Sequence, residues 1–267
     1  MGNLNVYKSP GPDCLQPRVL KEVRCEIAYP LKLIFECSLI SSSLPIDWKS
    51  GIITPIYKKG KKCVVSNYRP VSITSIVCKV LESIVRDSLI KHFQEHTLFC
   101  NRQYGFIKGR STVTQLLTIL DKWTDALESG GQIDVIYTDL EKAFDKVPHN
   151  LLLRKLKSYN INKQILSWVK SFLIDRRQRV RVFDSFSSWG FVLSGIPQGS
   201  ILGPLLFIIY INDLEAACNP NSELFLYADD TKLFKFVQND SDAVLLQDDL
   251  NSVCNWIKKW LLSLNID

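Results

Sequence analysis

The stretch from Leu224 to Phe236 reads as two short apolar strands hinged on Ala228-Asp229-Asp230. A hairpin this tight ordinarily turns on Asn-Gly or Asp-Gly. Two adjacent carboxylates there repel one another, and a cation relieves that repulsion. A third aspartate, Asp139, ends a separate β-branched and aromatic strand, Ile133 to Asp139, ninety positions earlier. Mg²⁺ is held by one or two carboxylates, with its other positions left to water and substrate phosphates. Three aspartates on two strand ends have the donors for two such ions. Aspartate in a turn also satisfies nearby backbone donors, so the pair taken alone leaves a structural role open.

The rest of the chain mixes helices and strands without strict alternation, which favours an α+β domain over a doubly wound parallel sheet. Helices are expected after Pro17 and after Pro30, and strands over Gly51 to Tyr57 and Asn67 to Ile73. Ile76, Val77, Val80, Leu81, Ile84, Val85, Leu89 and Phe93 recur at helical spacing behind Thr74, a candidate cap. A second helix follows Ser111 or Thr112, with Val113, Leu116, Leu117, Leu120 and Trp123 on one side, and ends at Gly130-Gly131. Further helices are expected after Pro148, after Ser200 and near the C-terminus, and strands over Val180 to Phe183 and Trp189 to Leu193.

With 46% hydrophobic residues in 267, the chain can bury a large core. Its longest apolar run, Leu202 to Ile211, is broken by Gly203-Pro204 and falls short of a membrane span. Met1 to Pro12 lacks the apolar core of a signal peptide. The expectation is an intracellular protein, in nucleus or cytoplasm, with no membrane contact. None of the eight cysteines forms a C-x-x-C pair, so buried reduced thiols are expected. His92 and His96 lack the glutamate of a zinc-binding H-E-x-x-H and read as surface residues. There is no G-x-S-x-G elbow, Walker A loop or G-x-G-x-x-G turn, which removes serine hydrolases, common ATPases and dehydrogenases. The net charge of +6 suits a polyanionic partner. Basic runs lie at Lys58, Lys59, Lys61 and Lys62 and at Arg176, Arg177, Arg179 and Arg181.

Tyr227-Ala228-Asp229-Asp230 resembles the Y-A-D-D box of reverse transcriptases. Asp139-Leu140-Glu141-Lys142-Ala143-Phe144-Asp145 is similar to their first catalytic box, and Ser194-Gly195-Ile196-Pro197-Gln198-Gly199-Ser200-Ile201-Leu202-Gly203-Pro204 to the box between them. Ser9 to Asp13, Asn67 to Ser72, Gly105-Phe106 with Gly109-Arg110-Ser111-Thr112, and Tyr210 to Leu214 extend the likeness over nearly the whole chain. The set resembles the enzymes of non-LTR, LINE-type retrotransposons, especially the jockey-like group.

That resemblance implies a right-hand polymerase fold. Fingers would occupy mainly residues 1–132, and a palm with an antiparallel sheet packed on helices mainly 133–267, with a fingers/palm insertion around 148–190. It implies an RNA-directed DNA polymerase that takes an RNA template, a DNA primer and dNTPs. Asp139, Asp229 and Asp230 would be catalytic. Asp139, Asp229 and the Leu140 carbonyl would hold two Mg²⁺ ions, with Mn²⁺ as a possible substitute. Phe144 would lie beneath the incoming sugar and select deoxynucleotides. Gln198 and Gly199 would shape the pocket floor, Arg69 and Lys58 meet the triphosphate, and Arg176, Arg177 and Arg179 contact template or primer. The oligomeric state is left open.

At Leu264-Asn265-Ile266-Asp267 the family continues into a lysine-bearing palm motif and a thumb. A chain of this extent is expected to be a fragment with weak or absent processive synthesis and no endonuclease domain. Two other readings share these residues: a catalytically inactive nucleic-acid-binding remnant, and an intron-maturase-like RNA-binding protein.

Overall fold

A computed structural model describes residues 1–267 apart from 3, 221, 266 and 267, so the last two positions of the C-terminal motif lie outside the described residues. Helix α1 (Pro17–Glu22) begins on its proline, as expected. Helix α2 (Arg24–Ser41) does not wait for Pro30; it carries that residue inside and spans the lost N–H bond. Its far half is anchored, with Phe35 buried and Ser38 Oγ accepting from Trp168 Nε1 at 3.1 Å.

Strands β1 (Ser50–Tyr57) and β2 (Tyr68–Ile73) form an antiparallel pair joined by the lysine-rich turn, in register from Ile52↔Ile73 to Tyr57↔Tyr68. Helix α3 (Ile76–Glu95) turns Leu81, Val85, Leu89 and Phe93 into the core. Its cap is Ser75, whose Oγ accepts from Cys78 N at 3.3 Å, and not Thr74, whose hydroxyl is buried without a partner. Helix α4 (Thr112–Glu128) starts on a reciprocal Ser111–Thr114 capping box. The expected apolar side of α4 is not its packing side. Gln115 and Ile119 are buried, while Val113, Leu116, Leu117 and Leu120 face solvent, because the neighbouring sheet meets the adjacent helical stripe.

Strand β3 (Gln132–Thr138) leads through α5 (Ala143–Lys146), α6 (His149–Ser158) and α7 (Lys163–Leu173) to β4 (Arg176–Val182), β5 (Ser185–Phe186) and β6 (Gly190–Val192). The second basic run is therefore itself a strand. It lies parallel to β1, Ser50↔Arg177 through Ile53↔Val180, and antiparallel to β5 and β6. The resulting sheet has the order β2-β1-β4-β5, with β6 also on β4.

Helix α8 (Gly203–Tyr210) is buried at every position except Pro204 and forms the centre of the core with α3, α6 and α7. Truncating a side chain such as Phe207 there costs about 3–5 kcal/mol. Strands β7 (Glu223–Tyr227) and β8 (Asp230–Val237) form the expected hairpin, and α9 (Asp240–Lys259) packs behind it. The second sheet is antiparallel, in the order β3-β8-β7. The fold is thus α+β, with one mixed and one antiparallel sheet among the described residues.

All eight cysteines are free, but only Cys78 and Cys100 are buried; Cys14, Cys25, Cys37 and Cys63 are exposed, contrary to the expected burial. Three of these four lie in the N-terminal segment, outside the central helical core. His92 Nε2 lies 2.8 Å from Tyr159 O, and His96 is exposed beside it. Among the described residues no helix is long and apolar enough to cross a membrane.

Candidate active site

The β7–β8 turn closes on the pair Tyr227↔Asp230, leaving Ala228 and Asp229 at its tip. Ala228 has φ of 55°, a left-handed conformation that strains any residue with a Cβ by about 1–2 kcal/mol. A neighbouring segment holds it there. The Gln103 side chain, 1% exposed, accepts through Oε1 from Ala228 N at 3.0 Å and from Gly105 N at 2.7 Å. Its Nε2 donates to Ala228 O at 3.4 Å. Tyr104 N donates to Leu226 O and Leu226 N to Arg102 O, at 2.8 and 2.9 Å, so the free edge of β7 is paired along this loop. Gly105 has to be glycine, since a Cβ there would stand 2.4 Å from Ala228 N.

Register in the second sheet delivers the third carboxylate. Thr138↔Thr231 is the last pair between β3 and β8, so Asp139, one residue on, lies beside Asp230. Burial first, then the charges of Asp230 and Asp139, push the Asp229 carboxyl above its usual range; its own backbone N–H and the Arg69 guanidinium pull it back. Asp230 is raised by burial and by Asp139, with Lys232 opposing. Asp139 is exposed and fixed from behind: Asn265 N donates to its carbonyl at 2.8 Å and Asn265 Nδ2 to Oδ2 at 3.2 Å. Glu141 N donates to Ser263 O, so the Leu140–Leu264 bridge leaves the Leu140 carbonyl outside the pairing.

Among the described residues no three acidic, histidine or cysteine side chains come together closely enough to hold a metal ion by themselves. The donor set nevertheless fits a hard divalent ion: carboxylate oxygens only, mutually repelling, at the ends of adjacent strands.

Next to the carboxylates, Phe144 stacks on Phe207 at 4.5 Å between ring centroids and meets Phe106 edge-on at 6.4 Å. The 194–200 loop is tied on both sides. Gln198 Nε2 donates to Asp145 Oδ1 at 2.9 Å, and Gln198 O accepts from Ser72 N at 2.6 Å. Gly195 (φ 87°) and Gly199 (φ 118°) leave no room for a Cβ, which would stand 2.6 Å from Asp145 O and 2.4 Å from Ser72 O. The fully buried Glu82 closes the loop's far end, with Oε2 accepting from Ile201 N at 2.7 Å and Leu202 N at 3.1 Å. Burial raises the Asp145 carboxyl, against the Gln198 hydrogen bond and the charges of Lys142 and Lys58. Asp145, Gln198, Ser72 and Arg177 line one side or another of a cleft of about 410 Å³.

Of the residues singled out in the sequence, Asp139, Asp229, Asp230 and Arg69 share one electrostatic neighbourhood. Phe144, Gln198, Gly199 and Lys58 surround the adjoining loop, with Lys58 and Arg69 exposed. Arg176 needs correction. It is 3% exposed, donates to Phe172 O at 3.0 Å and stacks on the Phe172 ring, so it is a core residue turned away from any polyanion. Strand alternation sends Arg177 and Arg179 to the other side.

Four contributors were not singled out: Gln103, Asp145, Glu82 and Asn265. Asp145 belongs to a stretch noted for other residues and Gln103 stands two residues before another, and only their partners, far away in sequence, show their use. Glu82 lay hidden as a charge on an otherwise apolar helix face.

Residues 56–267 match the family model described as reverse transcriptase (RNA-dependent DNA polymerase). Three fruit-fly (Drosophila melanogaster) sequences align with almost the entire chain. The probable RNA-directed DNA polymerase from transposon BS is 32% identical over 98% of this chain and 30% of its own length. The corresponding protein of transposon X-element is 29% identical over 97% of this chain and 29% of its own length. The RNA-directed DNA polymerase from mobile element jockey is 30% identical over 100% of this chain and 30% of its own length. The chain thus spans about 30% of the length of these curated relatives.

Proposed function

The chain belongs to the reverse transcriptase family, and from that premise we propose that it carries the nucleotidyl-transfer site of an RNA-directed DNA polymerase of a jockey-like non-LTR element. The observation that carries the proposal is the strand register that sets Asp139, Asp229 and Asp230 at two adjacent strand ends, with Arg69 within electrostatic reach.

In this reading the β3-β8-β7 sheet and its helices are the palm, mainly within residues 133–267, and the mixed sheet is the core of the fingers. The pairing of β4 with β1 supports assigning part of the 148–190 insertion to the fingers side. In this reading the substrates are an RNA template, a DNA primer and dNTPs, and the work is done inside the cell, in nucleus or cytoplasm.

Asp139, Asp229 and the Leu140 carbonyl are the groups that would hold Mg²⁺, or Mn²⁺ in its place, with Asp230 as the third carboxylate. Bound there, such ions lower the pKa of a primer hydroxyl and neutralise charge on the pyrophosphate leaving group. The chain's own residues do the rest. Asn265 fixes Asp139 by backbone and side chain, and the Gln103 clamp fixes Asp229, so neither carboxylate has to reorganise when charge develops. Arg69 and Lys58 orient the triphosphate by charge-assisted hydrogen bonds. Phe144, packed on Phe207, offers a flat apolar surface with no acceptor for a 2′-hydroxyl, which favours deoxynucleotides. Asp145 holds the Gln198 amide in one orientation at the pocket floor, beside Gly199.

Single-nucleotide extension of a DNA primer on an RNA template tests the reading, with dNTP against rNTP and wild type against Asp229→Ala. Incorporation of dNTP that vanishes in the variant is the expected result. Binding of primer–template without incorporation in the wild type would reduce the chain to a nucleic-acid-binding remnant.

A further inference from the structure

The turn from Tyr210 to Leu214 closes α8, and Ile211 and Leu214, each 1% exposed, root it in the core. Its polar groups reach other parts of the chain. Asn212 engages both ends of its amide: Nδ2 donates to Leu98 O at 2.7 Å and to the Tyr159 hydroxyl at 3.0 Å, and Oδ1 accepts from Cys100 N at 2.9 Å. The 98–100 segment is thereby tied to the end of α8. It leads straight into the clamp on the aspartate turn. Gln103 N donates to Cys100 O at 3.4 Å, and Arg110 gathers the carbonyls of Cys100, Asn101 and Gln103 at 2.7, 3.2 and 2.6 Å. Gln103 in turn holds Ala228, beside Asp229.

The other side of the turn reaches α9. The Tyr210 hydroxyl donates to Trp260 O, and Lys155, 3% exposed, donates to Tyr210 O and to Asp213 Oδ1. An ammonium this buried is stable only when paired. Asp213 supplies the opposite charge, and the Trp260 and Trp256 ring centroids lie 3.8 and 4.5 Å from Nζ. Trp260 is therefore fixed by its carbonyl and by its ring at the point where α9 ends. Beyond it the chain turns at Leu261, with φ of 54°, and buries Leu262. It then meets the other strand end, where Glu141 N donates to Ser263 O and Asn265 holds Asp139.

Two segments far apart in sequence, 98–103 and 260–265, thus fix the two carboxylate positions, and both are moored to one turn. Carboxylates that act on shared ions need a fixed spacing, and small displacements are felt steeply in rate. A common mooring on a buried helix supplies that spacing.

We propose that the turn from Tyr210 to Asp213 is the positioning element that sets Asp139 and Asp229 relative to one another, through Tyr210 toward Asp139 and through Asn212 toward Asp229. The proposal rests on the polymerase reading for what the carboxylates do, and not for the two branches. Tyr210 and Asn212 are positioning residues, each acting through an intermediate segment.

Hydrogen exchange of the full chain, in Asn212→Ala and Tyr210→Phe, tests the branches. In Asn212→Ala, peptides over 98–105 and 226–228 should exchange about tenfold faster, while 261–265 keeps its wild-type protection. Tyr210→Phe retains the buried ring and should show the reverse pattern; it decides the matter alone if Asn212→Ala does not fold. Primer extension tests the consequence. Both variants should lose about tenfold in kcat with nucleotide KM within about twofold of wild type, because Arg69 and Lys58 sit on the β1–β2 hairpin, which neither branch includes. Adding Gln103→Leu to Asn212→Ala should lower kcat no further than the worse single variant, since the two lie on one branch. Faster exchange spread evenly over both regions overturns the proposal, and so does a loss carried by KM. A wild type that incorporates no nucleotide sinks the polymerase reading by itself, while the crossed exchange pattern still upholds or overturns the two branches.

Discussion

Gln103 holds Ala228 at both ends of its peptide group, accepting from its N–H at 3.0 Å and donating to its carbonyl at 3.4 Å. The two residues are 125 positions apart, yet one amide side chain keeps the aspartate turn in its strained left-handed form.

Gln103→Leu should therefore leave two buried N–H groups and a carbonyl without partners, at about 1–3 kcal/mol each when unrelieved. Urea melts should show this loss. Nucleotide incorporation at a temperature where the variant is still folded should fall by at least about tenfold, since a small displacement of Asp229 is felt directly in the chemistry. Gln103→Glu keeps the acceptor and should recover part of the activity; equal failure of both variants would mean the side chain supports the fold only.

The carboxylate cluster should destabilise the metal-free protein. Asp229 and Asp230 have raised pKa values when folded, so the native state holds more protons than the unfolded one as pH rises from the unfolded carboxylate pKa through the folded values. Stability therefore drops across that window and stays lower above it. In EDTA at neutral pH, Asp229→Asn should melt about 1–3 °C above the wild type. Added Mg²⁺ should raise the melting temperature of the wild type and not of the variant, because only a site that binds the ion gains stability by mass action. A lower melting temperature for Asp229→Asn in EDTA would contradict the assignment.

Gly199→Ala places a Cβ 2.4 Å from the Ser72 carbonyl at a φ of 118°. Both backbones are committed, because Ser72 N also donates to Gln198 O. The expected loss is about 2 kcal/mol or more of stability, read from denaturant midpoints, with nucleotide KM rising as the loop is pushed off β2.

Phe144 stacks on Phe207 and carries no polar group. Replacing it with Val should lower the preference for dNTP over rNTP by about 10- to 100-fold. The ratio of kcat/KM values for the two substrates measures this, and an unchanged ratio would return Phe144 to a packing role.

Much of the secondary structure was legible in the sequence because it is encoded locally. Apolar spacing gave α3 and α9, and β-branched runs gave β1, β3 and the β7–β8 hairpin. The aspartates were legible for the same reason, as charges set where apolar strands end. What lies opposite a residue was not. The α4 stripe of Val113, Leu116, Leu117 and Leu120 has a helical period, but no sequence rule says which stripe a sheet will cover. Arg176 and Arg177 are neighbours of identical type, and only the pairing of β4 with β1 sends one into the core and the other to the open face. The hydrogen bonds that fix the site, Gln103 to Ala228, Asp145 to Gln198, Glu82 to Ile201 and Asn265 to Asp139, join residues 53 to 126 positions apart. Periodicity and propensity act over a few residues, so the sequence by itself determined the parts and their chemistry. Tertiary packing decided which donor meets which acceptor, because that depends on how distant backbones come to lie side by side.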